Sequence, residues 1–176
     1  MNDYIVRDLF PNRKYVRLPE HDYSTAGVYF VTICTLNKQC LFGEIKNGTM
    51  RPNLYGKIVQ QSWNDIPKHY SDINNEIFSM MPNHVHGIII ITDDNGRSGL
   101  KPDPTNRHAL PEIIRGFKTF SAKGINEFRQ SPGVQIWQRS FYEHIIRTEK
   151  EYHEIGEYIY HNPQKWDSDT ENPNTG

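Results

Sequence analysis

A chain that carries HVHGIIIIT from His84 to Thr92 has few folds open to it. Four successive isoleucines are β-branched and suit a pleated, buried surface. Their run, Ile88 to Ile91, is the longest purely aliphatic stretch and is far too short to cross a bilayer. It therefore reads as a strand that the rest of the chain must cover.

Val28 to Leu36, VYFVTICTL, reads as a central strand, and Glu76 to Met81 as another apolar segment, with Pro82-Asn83 a turn or break before the histidine run. Gly43 to Met50 holds an Asn47-Gly48 pair, a strong hairpin signal. Leu54, Ile58, Ser62 and Ile66 recur at helical spacing, so the pattern predicts a helix over Asn53 to Tyr70 with Asn53 as N-cap. A second helix is predicted over Pro111 to Arg129, with Ile113, Phe117, Phe120, Gly124 and Phe128 on one stripe. Val134 to Trp137 is a short strand candidate. A third helix opens on the Thr148/Glu151 capping-box pattern and runs to His161, before Pro163.

That order predicts an α+β domain: an antiparallel sheet with helices, a ferredoxin-like or RRM-like core with an added C-terminal helix. The boundaries are a polar arm over 1–26, one domain over 27–166 and a disordered tail over 167–176, with a loop from Asp93 to Asn106. A length of 176 residues fits one domain, and 36% hydrophobic with 23% charged residues fits a globular chain. Cys34 and Cys40 are too few for a disulfide framework or a four-cysteine zinc site. The charged opening, MNDYIVRDLF, is unlike a signal peptide, so the expected location is cytoplasmic, with no membrane partner. The formal net charge of -1 neither supports nor excludes a nucleic-acid partner, because acids crowd the C-terminal end and Arg and Lys recur from Arg115 to Arg129.

Two constellations carry chemistry. His84 and His86 are two apart on a strand, so their imidazoles project from one face and can converge on a metal. The plainer alternative is a pair of sheet-surface histidines with water or acid partners. Burying two polar rings beside a core without hydrogen bonds or a metal is costly, which favours a site. The second constellation is EYIYHNP: Tyr158 and Asn162 are four apart and share a helix face, away from the stripe of Tyr152, Ile155 and Ile159. Tyr158 as a flank residue and Asn162 as a helix cap remain open alternatives here, as does Tyr160 as the reactive tyrosine.

MPNHVHGIIII, then WQRSFYEHIIR, then EYIYHNPQKW, in that order and spacing, resemble the REP-associated tyrosine transposases, a branch of the single-tyrosine HUH transposases. The resemblance runs from about Tyr29 to Trp166 and implies an HUH core whose C-terminal helix carries the tyrosine. It implies Tyr158 as the nucleophile and His84, His86 and Asn162 as ligands of a divalent metal, Mg²⁺ or Mn²⁺. It further implies cleavage and rejoining of single-stranded DNA through a 5′-phosphotyrosine, beside palindromic hairpins, with a monomer favoured and a homodimer left open. Arg115, Lys118, Lys123, Arg129, Arg139 and Arg147 are candidates for tracking phosphates, with solvated helix faces as the plainer alternative, and Tyr142 is a candidate for stacking on bases together with Trp137 and Phe141, which fit the core better. Two rivals stand beside this reading: a non-catalytic single-strand-binding module of RRM-like fold, and a metal-dependent hydrolase of a small phosphoester. The second lacks an Asp or Glu in the local MPNHVHG context.

Overall fold

A computed structural model describes residues 26–92 and 108–173; the expectations for the arm through residue 25 and for the loop at 93–106 lie outside them. The strands are β1 (Gly27–Cys34), β2 (Gly43–Lys46), β3 (Thr49–Pro52), β4 (Ile73–Asn74), β5 (Phe78–Met80), β6 (His84–Ile91) and β7 (Tyr142–Ile146). The helices are α1 (Leu54–Asn64), α2 (Ile66–His69), α3 (Leu110–Phe128) and α4 (Glu149–His161), with 3₁₀ turns at Leu36–Lys38 and Asn162–Ser168.

The main sheet runs β4-β6-β1-β7, with β5 also paired to β6, and every pairing is antiparallel. With α1 between β1 and β4 and α3 between β6 and β7, this is the ferredoxin-like order second, third, first, fourth. β2 and β3 form a separate hairpin, turned at Asn47 and Gly48, whose φ values of 53° and 68° are the left-handed pair a tight turn between twisted strands requires.

All eight residues of β6 are buried, as a strand covered on both faces must be. Alternation splits the core into two layers. Tyr29, Val31, Ile33, Val85, Ile89 and Ile91 face α1 and α3, through Val59, Trp63, Ile113 and Phe117. Val28, Phe30, Ile88, Ile90 and Ile146 face α4, through Tyr152 and Ile159. His84 and His86 lie in the same phase of β6 as Ile88 and Ile90, so they belong to the α4 face.

Four local expectations change. The helix foreseen over 53–70 stops at Asn64 and restarts at Ile66, because Pro67 has no N–H to continue the hydrogen-bond ladder of the first helix. The stripe on α3 is offset: Ile113, Ile114, Phe117, Ser121 and Ile125 are buried, whereas Phe120 is 47% and Phe128 55% exposed. Val134 to Trp137 makes only the bridge Thr35–Trp137, with the Trp137 indole donating to the Ser121 hydroxyl at 2.9 Å; the strand forms later, at Tyr142–Ile146. Residues 167–173 are held down instead of frayed: Asn83 Nδ2 donates to the Glu171 carbonyl at 2.6 Å, Lys38 pairs with the Glu171 carboxylate at 3.3 Å, and Asn172 is buried. No helix among the described residues is long and apolar enough to cross a membrane.

Candidate metal centre and tyrosine

β6 brings His84 and His86 to one point: their Nε2 atoms are 3.0 Å apart. Each ring is held from behind. His84 Nδ1 meets Asn83 Oδ1 at 2.8 Å, and His86 Nδ1 meets Thr32 Oγ1 at 2.8 Å from β1, whose register sets Thr32 opposite His86. Burial pushes both imidazoles down to about 3, helped at His84 by the positive charge of Lys38 and at His86 by His84, with Asp169 pulling the other way at His86. Both rings are therefore neutral near pH 7, the form that ligates a metal.

A third donor arrives from outside the strand. Asp169, in the segment after α4, offers a carboxylate oxygen, and the three ligand atoms of His84, His86 and Asp169 lie within 4.8 Å of one another. His84 Nε2 is 3.8 Å from Asp169 Oδ2. No local signal could have announced this residue, 83 positions from His86. It also removes the sequence argument against a hydrolase, that no acid accompanies the histidines.

α4 sets Tyr158 over the pair. Its ring centroid is 5.3 Å from that of His86 and 6.1 Å from Phe30, while Phe30 stacks on His86 at 5.6 Å and 24°. The phenol is 44% exposed, so it is not a core tyrosine. Desolvation raises its pKa, Asp169 raises it further, and a hydrogen bond from Asn162 lowers it. Asn162 is 3% exposed, stays in the right-handed helical region, and its buried Oδ1 has no hydrogen-bond partner among the described residues. A capping role leaves that oxygen unexplained; a cation beside it would satisfy the cost of burying it. Two neutral imidazoles and a carboxylate make a mixed nitrogen and oxygen donor set of the kind that suits Mn²⁺ or Zn²⁺, and less well Mg²⁺.

The basic candidates lie elsewhere. Arg115, Lys118 and Lys123 ride on α3, the helix that covers the sheet face opposite the histidines, and Arg129 is its C-cap. Lys118 donates to the carbonyls of Gln138, Arg139 and Ser140 at 3.0–3.1 Å, so its ammonium clamps a loop. Lys123 pairs with Glu127 at 3.8 Å, and Arg129 Nε donates to Asn126 Oδ1 at 2.9 Å. Arg139 borders a cavity shared with α3, and Arg147 is exposed where β7 passes into α4. Trp137 is core and Phe141 lies under Lys118, whereas Tyr142 sits on the histidine face, 59% exposed, edge-on to Phe30 at 6.2 Å.

A ferredoxin-like antiparallel sheet thus carries two buried histidines on its central strand, with a tyrosine from the C-terminal helix packed over them. No family model matches the sequence. A Haemophilus influenzae protein of unassigned role is 39% identical over 169 residues, spanning 90% of this chain and 92% of that one; the chain belongs to one family with it. A second Haemophilus influenzae protein, provisionally named a REP-associated tyrosine transposase, is 22% identical over 144 residues, 82% of this chain and 74% of that one. The structure of a REP-associated tyrosine transposase bound to a REP hairpin superposes with a TM-score of 0.55 at 20% identity, covering 88% of this chain and 74% of that chain. The group this chain resembles is thus the REP-associated tyrosine transposases, as its motifs indicate.

Proposed function

We propose that the chain is a metal-dependent DNA strand transferase that cuts and rejoins single-stranded DNA, with Tyr158 as nucleophile and His84, His86 and Asp169 as metal ligands, Asn162 adding an amide oxygen as the fourth. One observation carries this reading: a half-exposed phenol stands over two buried, neutral imidazoles whose Nε2 atoms meet 3.0 Å apart. The relatives named for transposition support DNA as the substrate, and a REP hairpin bound to a neighbour of the same fold supports a hairpin-flanking single strand.

Tyr158 Oη attacks the phosphorus, the bond to the 3′-oxygen breaks, and the products are a 5′-phosphotyrosine and a free 3′-hydroxyl. A second 3′-hydroxyl reverses the step, so rejoining requires neither a nucleotide cofactor nor hydrolytic water. A divalent cation, when bound, supplies positive charge to the scissile phosphate and to the phenol oxygen. The chain's own part is positional. The Asn162 hydrogen bond aims the phenol, Phe30 packs the tyrosine against His86, and exposed Tyr142 offers a flat surface for a base on the same sheet face.

The test is a labelled hairpin oligonucleotide with a single-stranded flank, incubated with protein and Mn²⁺ and resolved under denaturing conditions. A covalent protein–DNA adduct is expected, and it should vanish with EDTA. Binding without any adduct would leave the single-strand-binding module standing, and release of a free phosphate product would favour the hydrolase. Within this reading, Asp169→Ala should weaken Mn²⁺ binding by roughly 10- to 100-fold, measured by calorimetry, because one charged oxygen of the donor set is lost. An unchanged affinity would remove Asp169 from the ligand set.

A further inference from the structure

The two partners behind the histidine pair are of different kinds, and the difference gives Thr32 a role. Asn83 is locked, since its amide nitrogen donates to the carbonyls of Lys38 at 3.1 Å and Glu171 at 2.6 Å, which leaves its oxygen facing His84. An amide oxygen only accepts, so His84 holds its proton on Nδ1 and presents a lone pair at Nε2. His86 Nε2 sits 3.0 Å from that lone pair. Two lone pairs so close repel; the contact requires either a proton on His86 Nε2 or a cation shared by both nitrogens.

Thr32 can serve either state, because a hydroxyl both donates and accepts. Without a cation, His86 Nε2–H donates to His84 and the Thr32 hydroxyl donates to the bare Nδ1. With a cation, both Nε2 lone pairs turn to it, the His86 proton resides on Nδ1, and the Thr32 oxygen accepts it. One proton leaves Nε2 and one is taken up at Nδ1, so the ring stays neutral throughout. A carboxylate or carbonyl in this position could satisfy only the second state.

We propose that Thr32 is the positioning residue that lets His86 exchange tautomers as the cation enters and leaves, while Asn83 keeps His84 fixed. The inference rests on the metal-centre reading above. Long-range ¹H–¹⁵N spectra of the full chain, without metal and with Zn²⁺, report which ring nitrogen carries each proton. The His86 pattern should invert on Zn²⁺ addition while the His84 pattern keeps its Nδ1–H. In parallel, Thr32→Val should lower Zn²⁺ affinity about tenfold or more, since the Nδ1–H is left unpaired, and Thr32→Ser should restore it to within a few-fold. A His86 tautomer that is the same in both states, or a folded Thr32→Val with wild-type affinity, overturns the role of Thr32 alone. A wild-type chain that takes up no Zn²⁺ overturns the metal centre and this proposal with it.

Discussion

Tyr158→Phe should abolish the covalent adduct, on the order of 10³-fold or more below wild type, while hairpin binding changes by no more than a few-fold. The substitution deletes one oxygen and keeps the ring, so the contacts to Phe30 and His86 at 6.1 and 5.3 Å survive and the helix has no reason to move. Tyr160→Phe is the control. Tyr160 is 74% exposed and its ring lies beside His161, not beside the histidine pair, so its loss should leave adduct formation within a factor of about two. The readout is the labelled band under denaturing conditions, with native gel shift for binding. An adduct that persists in Tyr158→Phe and disappears in Tyr160→Phe would reassign the nucleophile to the second tyrosine of the YIYHNP string.

The two histidines and the tyrosine were legible in the sequence because each constellation is local. A strand sets residues two apart on one face, and a helix sets residues four apart together, so spacing pairs His84 with His86 and Tyr158 with Asn162, while the choice of Tyr158 over the other tyrosines came from the family resemblance. Their meeting was not local, and neither was the rest of the site. Thr32 reaches His86 through the β1–β6 register, and Asp169 reaches it because Asn83 and Lys38 hold the segment around Glu171. Composition made that segment look like a solvated tail, since it is polar and acidic; what secures it is a set of hydrogen bonds to residues more than 80 positions away. The placement of the basic residues was hidden for a related reason. Arg115 to Arg129 show a helix-face pattern, but nothing in a helix says which side of the sheet it will cover.

Gly87→Ala should cost about 3 kcal/mol or more, at or beyond the upper end of the usual penalty for overpacking, and lower the midpoint of thermal unfolding by roughly 10 °C. Gly87 follows His86 on β6 and points to the other face, where Trp63 from α1 presses against the strand. A Cβ there would stand 2.3 Å from Trp63 Cζ2 and 2.4 Å from Cη2. The indole has no way to retreat, because it is fully buried, with Phe78 at 4.9 Å on one side and Phe117 edge-on at 5.5 Å on another. The strand must then shift, and a shift of β6 carries His86 with it. Stability and Zn²⁺ affinity should therefore fall together in this variant, although residue 87 faces away from the metal centre. Pairing it with Trp63→Phe separates packing from strand propensity: the smaller ring frees the space the methyl needs, so the double variant should be more stable than the sum of the single losses by about 1 kcal/mol or more. Urea midpoints at an unchanged m-value read this directly. Strict additivity, or a Gly87→Ala chain as stable as wild type, would mean that the indole is not what holds the histidine strand in place.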